Sequence, residues 1–167
     1  MSEVSLVQRL LKRWPAKTPP HPLQVVLEQG ALETLYQPII ALQSGAIDGH
    51  EALVRGQKDS DMETPQALLD AAQLVQMQIE LELACLGRAL QSWGYPHTAG
   101  RIYLNLSAHT LVALSEPKSF KRLEGLFLAY RVPAKRVVVE VTQHRKIKDI
   151  AALERCTTAL QALGCAI

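Results

Sequence analysis

From Leu35 onward the apolar residues switch repeatedly between a strand period of two and a helix period near 3.6, and that alternation fixes the fold class. Leu35 to Leu42 is an extended apolar run. Gln43-Ser44-Gly45 is turn chemistry, and a second strand runs from Ala46 to Arg55, so the pair predicts a hairpin. Pro38 removes a ladder donor from the first run, which places it at the start or the edge of a sheet. Thr64 and Pro65 then supply an N-cap and a first helical residue. The helical stretch they open reaches about Trp93 with a break near Gln76, and its second half puts Ile79, Leu83, Leu86, Leu90 and Trp93 on one face. Arg101 to Leu106 is a short strand, Ser107 can cap a helix beginning at Ala108, and Phe120, Leu123, Phe127 and Tyr130 form another helical stripe. Val137 to Thr142 is the clearest strand, because β-branched residues dominate it. Asp149 to Leu163 is a helix stopped by Gly164, and Cys165-Ala166-Ile167 begins a further strand. Strand and helix in turn predict an α/β fold with a parallel sheet and crossover helices.

Two regions precede or bound this pattern. Val4, Val7, Leu10, Leu11 and Trp14 at helical spacing, with Arg9, Lys12 and Arg13 between them, predict a short amphipathic helix. It could dock on a membrane surface or a partner, or pack on its own domain. Pro15, Pro19, Pro20 and Pro22 make the next stretch a stiff linker. Leu23 to Gln29 is helical, with Gly30 as its terminator. Residues 1–22 are therefore expected to be a helix and Pro-rich linker, and residues 23–167 the domain.

A net charge of +2 with both signs dispersed gives no polyanion-binding stripe, so neither DNA nor RNA is an expected partner. Cys85, Cys156 and Cys165 show no CxxC spacing and leave an odd count, which speaks for a reducing cytoplasm over a disulfide framework. No apolar run approaches the roughly 18 residues of a membrane span, and the N-terminus lacks the apolar segment of a signal peptide.

Polar residues inside apolar strands are the candidates for chemistry, since burying them costs free energy unless something pairs them. Glu51, Asn105 and Glu140 are such residues, each toward the carboxyl end of a strand, where β/α proteins build their sites. Two carboxylates and an amide supply hard oxygen donors suited to Mg²⁺ or Mn²⁺; pairing with nearby Arg, Lys or backbone is the competing reading. Alternation puts Glu51, Leu53 and Arg55 on one face, the end pair about 13 Å apart. An arginine there could grip a phosphate whose other oxygen meets the metal, or close a simple ion pair. The five histidines have no metal spacing, and Arg145-Lys146-Ile147-Lys148 reads as a solvated loop more readily than a phosphate site.

Glu51-Ala52-Leu53-Val54-Arg55 resembles the signature of the EAL family of cyclic-di-GMP phosphodiesterases. Tyr36-Gln37-Pro38-Ile39-Ile40 is similar to that family's first strand, Asn105-Leu106-Ser107-Ala108 to its asparagine motif, and Glu140-Val141-Thr142 to its next acidic motif. The resemblance implies a TIM-like (β/α)₈ barrel with an antiparallel first strand. It also implies hydrolysis of cyclic-di-GMP to linear pGpG with Mg²⁺ or Mn²⁺. By motif position Glu51, Asn105 and Glu140 would be metal ligands, Arg55 a phosphate contact and Gln37 a neighbour of the bound dinucleotide.

Two departures accompany it. Gln143 stands where the family carries a second glutamate that braces the loop over the metal, and the Asp-Asp-Phe-Gly motif and those after it are absent from residues 1–167. A full barrel takes at least about 200 residues. The expectation is a barrel truncated to roughly its first half, with no catalytic residue of its own, inactive as it stands. An open sheet edge or the N-terminal helix would then invite self-association or a protein partner. The alternative is a degenerate module that senses cyclic-di-GMP or binds protein without catalysis.

Overall fold

The computed structural model describes residues 20–95, 98–142 and 147–167. The expected amphipathic helix, most of the Pro-rich stretch, His97, Gln143, His144, Arg145 and Lys146 lie outside the described residues. The elements are α1 (Pro22–Gln29), β1 (Leu32–Ile40), β2 (Ile47–Gly56), α2 (Pro65–Leu74), α3 (Gln78–Ser92), β3 (Arg101–Ser107), α4 (Ala108–Ala113), α5 (Pro117–Ala129), β4 (Val137–Thr142) and α6 (Ile150–Leu163). The strands form one mixed sheet in the order β1-β2-β3-β4. β1 pairs antiparallel to β2, and the later pairs are parallel. Pro38 is accommodated because β1 is the edge strand. A fifth strand is begun where Ala166 bridges in parallel to Val138, with Val139 N donating to Ala166 O at 2.9 Å.

Local chemistry sets the element ends. Thr64 Oγ1 accepts from Ala67 N at 3.2 Å, Ser107 Oγ from Thr110 N at 3.1 Å, and Asp149 Oδ1 from Ala152 N at 2.8 Å. Gln76, at φ 57°, breaks the long helical stretch between α2 and α3 as expected. His21 caps α1: its Nδ1 accepts from Leu23 N at 3.2 Å while Gln24 Oε1 accepts from His21 N at 2.7 Å. Pro22 is consequently the first helical residue and not the last of the linker.

Strand alternation sorts the side chains. Ile102, Leu104, Leu106, Val137 and Val139 enter a core with Leu83, Leu86, Leu90 and Trp93 of α3, Leu123 and Phe127 of α5, and Cys156 and Leu160 of α6. Each fully buried leucine of this kind stabilises by about 2 kcal/mol. A smaller cluster joins Leu23, Leu27, Leu32, Leu68, Ala72, Met77 and Leu81, so α3 belongs to both. By register, Leu35, Gln37, Glu51, Leu53, Tyr103, Asn105 and Glu140 share the opposite face. That face is open enough to leave Leu35 52% exposed. The sheet is a partial barrel, its outer face clad by helices and its inner face carrying the polar residues.

Candidate metal and phosphate rim

The three expected oxygen donors come together. Gln37 lies directly across the hairpin from Glu51, Glu51 is level with Tyr103, and Asn105 is level with Glu140. Asn105 Nδ2 donates to Glu51 Oε1 at 2.8 Å. That bond fixes the amide, leaving its carbonyl oxygen as the donor a cation would meet. Burial and then the charge of Glu51 push the Glu140 carboxyl above the ordinary carboxylate range. One position differs from expectation: Glu51 lies in the middle of β2 and not toward its end. It is nevertheless next to the last β2 residue that pairs with β3, so it still sits where the ladder opens.

Two carboxylates, one of them made reluctant to ionise by burial and then by the other's charge, beside an oriented amide, fit a hard divalent cation. Positive charge there would relieve the repulsion. Among the described residues no three His, Cys, Asp or Glu side chains are gathered for a metal; the convergent set is two carboxylates and an amide.

Arg55 and Gln37 occupy different surroundings. Arg55 Nη1 donates to the Val54 carbonyl at 2.7 Å, and the residue borders a cavity of about 250 Å³ that Asn105 also lines. Gln37 is exposed. The arginine therefore stands near the amide donor, turned onto its own strand.

Sequence reasoning missed three participants. Tyr103 shares the rim face; its hydroxyl donates to Asp48, and burial first, then that hydrogen bond, raises its pKa. Arg101 Nη2 reaches the same Asp48 carboxylate at 2.6 Å. Glu82, on α3, accepts from Ser107 N at 2.8 Å. A charged residue at the heart of an apolar helix stripe was the available signal for Glu82; an aromatic in a strand gives none for Tyr103.

A helix-clad, mostly parallel sheet whose inner face gathers oxygen donors where two strands part defines a β/α-barrel domain with a rim site. Residues 21–167 match the EAL domain model, and the chain belongs to the EAL domain family. It is 28% identical over 141 residues to the probable cyclic di-GMP phosphodiesterase PdeB of Escherichia coli (strain K12), covering 82% of this chain and 26% of that protein. It is 27% identical over 149 residues to the uncharacterized protein sll1895 of Synechocystis, covering 86% of this chain and 21% of that one. The chain thus spans about a quarter of the length of these curated relatives.

Among solved structures, the EAL domain of Xanthomonas citri FimX in complex with c-diGMP superposes with a TM-score of 0.70 at 18% identity, over 95% of this chain and 58% of that one. Bacillus subtilis YkuI, with c-di-GMP and calcium, gives 0.67 at 23%, over 86% and 36%. Klebsiella pneumoniae BlrP1, with manganese and c-di-GMP, gives 0.65 at 20%, over 89% and 35%. These likenesses establish the fold. Among the described residues no helix is long and apolar enough to cross a membrane.

Proposed function

We propose that residues 21–167 form the cation- and phosphate-binding part of an EAL-type cyclic-di-GMP phosphodiesterase, with the residues before His21 as an appended segment, working in the cytoplasm. Glu51, Glu140 and the Asn105 carbonyl oxygen hold Mg²⁺ or Mn²⁺; Arg55 leaves the Val54 carbonyl to take a substrate phosphate, and Gln37 lies beside the dinucleotide. The observation that carries this reading is the Asn105–Glu51 hydrogen bond together with the register that sets Asn105 level with Glu140, which supports treating the three oxygen-bearing groups as one set. A bound cation supplies polarisation of the phosphodiester and a more acidic water. The side chains of this chain bind and orient: Arg55 neutralises a phosphate oxygen, and Asn105 keeps Glu51 aimed at the ion. None of the five residues is assigned to activating water, so residues 1–167 are proposed to bind cyclic-di-GMP without turning it over.

Calorimetry with Mn²⁺ and cyclic-di-GMP tests the binding, and chromatography for linear pGpG tests the turnover. Metal-dependent binding is expected, weakened at least about tenfold by Glu140→Gln, with no linear product. Clean formation of pGpG refutes the proposal that these residues bind without turnover. A second reading, a degenerate module acting through protein contact, is favoured by Arg55 being engaged with its own backbone. Such a module binds no cyclic dinucleotide with or without metal; binding that is indifferent to metal, again without turnover, marks a sensor.

A further inference from the structure

The ladder between β2 and β3 stops early. Pairing runs from Gly49 and Arg101 to Ala52 and Leu104, although β2 continues to Gly56 and β3 to Ser107. Backbone groups released from a half-buried ladder need other partners. At this level two charged side chains provide them. Arg55 Nη1 donates to Val54 O at 2.7 Å, and Glu82 Oε2 accepts from Ser107 N at 2.8 Å. The cavity of about 250 Å³ that borders the parted strand ends has Val54, Arg55, Glu82, Asn105 and Ser107 in its wall.

Glu82 is the unexpected member. It is only 9% exposed, on a helix whose neighbouring Leu81, Leu83 and Leu86 are core residues. A carboxylate so placed is retained when it is hydrogen-bonded or paired. Among the described residues no lysine or arginine forms an ion pair with it; the Ser107 amide is its partner. Ser107 in turn caps α4 through its hydroxyl, and Asn105 stands two residues earlier on the same strand face. One carboxylate on α3 therefore sets the end of the strand from which Asn105 reaches Glu51.

We infer that Glu82 is a positioning residue for the rim. It holds the carboxyl end of β3 away from β2 and against α3, at the height where Asn105 Nδ2 meets Glu51 with its carbonyl oxygen turned outward. Replacing the carboxylate with an apolar group frees the Ser107 amide, lets the strand end shift, and loosens Asn105 without touching any rim residue directly. The consequence for metal affinity rests on the metal reading given above; the consequence for Asn105 does not.

The test uses the full chain as wild type, Glu82→Leu and Glu82→Gln, the last keeping an oxygen acceptor of nearly the same shape. Hydrogen exchange of the Asn105 side-chain amide protons is followed by NMR, and Mn²⁺ affinity by calorimetry. Glu82→Leu is expected to speed Asn105 exchange and to weaken Mn²⁺ binding, each at least about tenfold, and Glu82→Gln to restore both to within about twofold. Unchanged Asn105 exchange in folded Glu82→Leu overturns the inference whatever the metal does. Faster Asn105 exchange in a protein whose wild type takes up no Mn²⁺ supports the positioning role and defeats the metal reading instead. If Glu82→Leu fails to melt cooperatively, Glu82→Ala replaces it. Scalar coupling between Ser107 N and the Glu82 carboxyl carbon in the wild type then gives a variant-free measurement. Its presence supports the inference and its absence overturns it.

Discussion

Asp48, at the start of β2, collects the Arg101 guanidinium at 2.6 Å and the Tyr103 hydroxyl, tying two rim-strand side chains to the neighbouring strand. The hydrogen bond from Tyr103, followed by that from Arg101, holds its carboxyl below the ordinary value of 3.8. A depressed carboxylate stabilises the fold above its unfolded pKa, and that contribution is lost as pH falls through the folded pKa. Asp48→Asn should therefore melt below the wild type at neutral pH, with the gap narrowing once the pH drops under 3.8 and closing further down. Thermal melts across that range check it, and a gap independent of pH contradicts it. The same scale shows what a chain of residues discloses. Glu51, Asn105 and Glu140 were legible because a polar side chain in an apolar strand needs a reason, and for Glu51 and Asn105 one such reason is their mutual hydrogen bond. Tyr103 was not, since an aromatic is an ordinary strand residue whichever face it takes. Glu82 lay within the apolar stripe of its helix, and that position was a signal of burial; its partner, the Ser107 amide, comes from a distant strand and no local window contains it.

At the scale of elements, the parallel ladder of β2 on β3 begins with Gly49 against Arg101. A Cβ added at Gly49 would lie 2.2 Å from the Arg101 carbonyl oxygen, a backbone atom that no side-chain rotation can move aside. Gly49→Ala should therefore force the strands apart and cost roughly 1–3 kcal/mol, the range for overpacking. Gly125, in α5, has nothing within 4 Å of the same added atom. Gly125→Ala is expected to stabilise by roughly 0.5–1 kcal/mol through helix propensity alone. Denaturant midpoints of the two variants moving in opposite directions check the pair; a neutral Gly49→Ala refutes the close-approach argument. Element identities were well marked in the chain, because Thr64-Pro65, Ser107, Gly30 and Gly164 each carry cap chemistry that acts locally. The bounds were less so. β1 begins at Leu32, ahead of the apolar run, because Leu32, Glu33 and Thr34 pair with Gly56, Arg55 and Val54 across the hairpin. Pairing of that kind is a property of two segments, and no window along one of them contains it.

At the scale of the whole molecule, the question is whether a sheet with helices on one face behaves as one cooperative unit. The core has two clusters. The larger is built on β3, β4, α5 and α6, and the smaller on α1, α2 and the start of β1. α3 joins them, giving Leu81 to one and Leu83, Leu86 and Leu90 to the other. A rigid helix with side chains in both clusters makes the loss of either costly to its neighbour, so the two should open together. The cysteines report on each side, since Cys85 packs against the smaller cluster while Cys156 and Cys165 belong to the larger. Burial, helped by the nearby Glu82 charge, pushes the Cys85 thiol up to about 12, and burial pushes Cys156 and Cys165 up to about 11. The native protein therefore holds almost no thiolate at neutral pH and should react slowly with a disulfide reagent at all three positions. Labelling across a urea series, read by mass spectrometry of the cysteine peptides, should show the three thiols becoming reactive at one denaturant concentration. Exposure of Cys85 well before the other two would mean that α3 does not couple the clusters and that the hairpin end of the sheet melts on its own. In that case the Asn105–Glu51 bond, which spans β2 and β3, would be lost first, and with it the cation site proposed above.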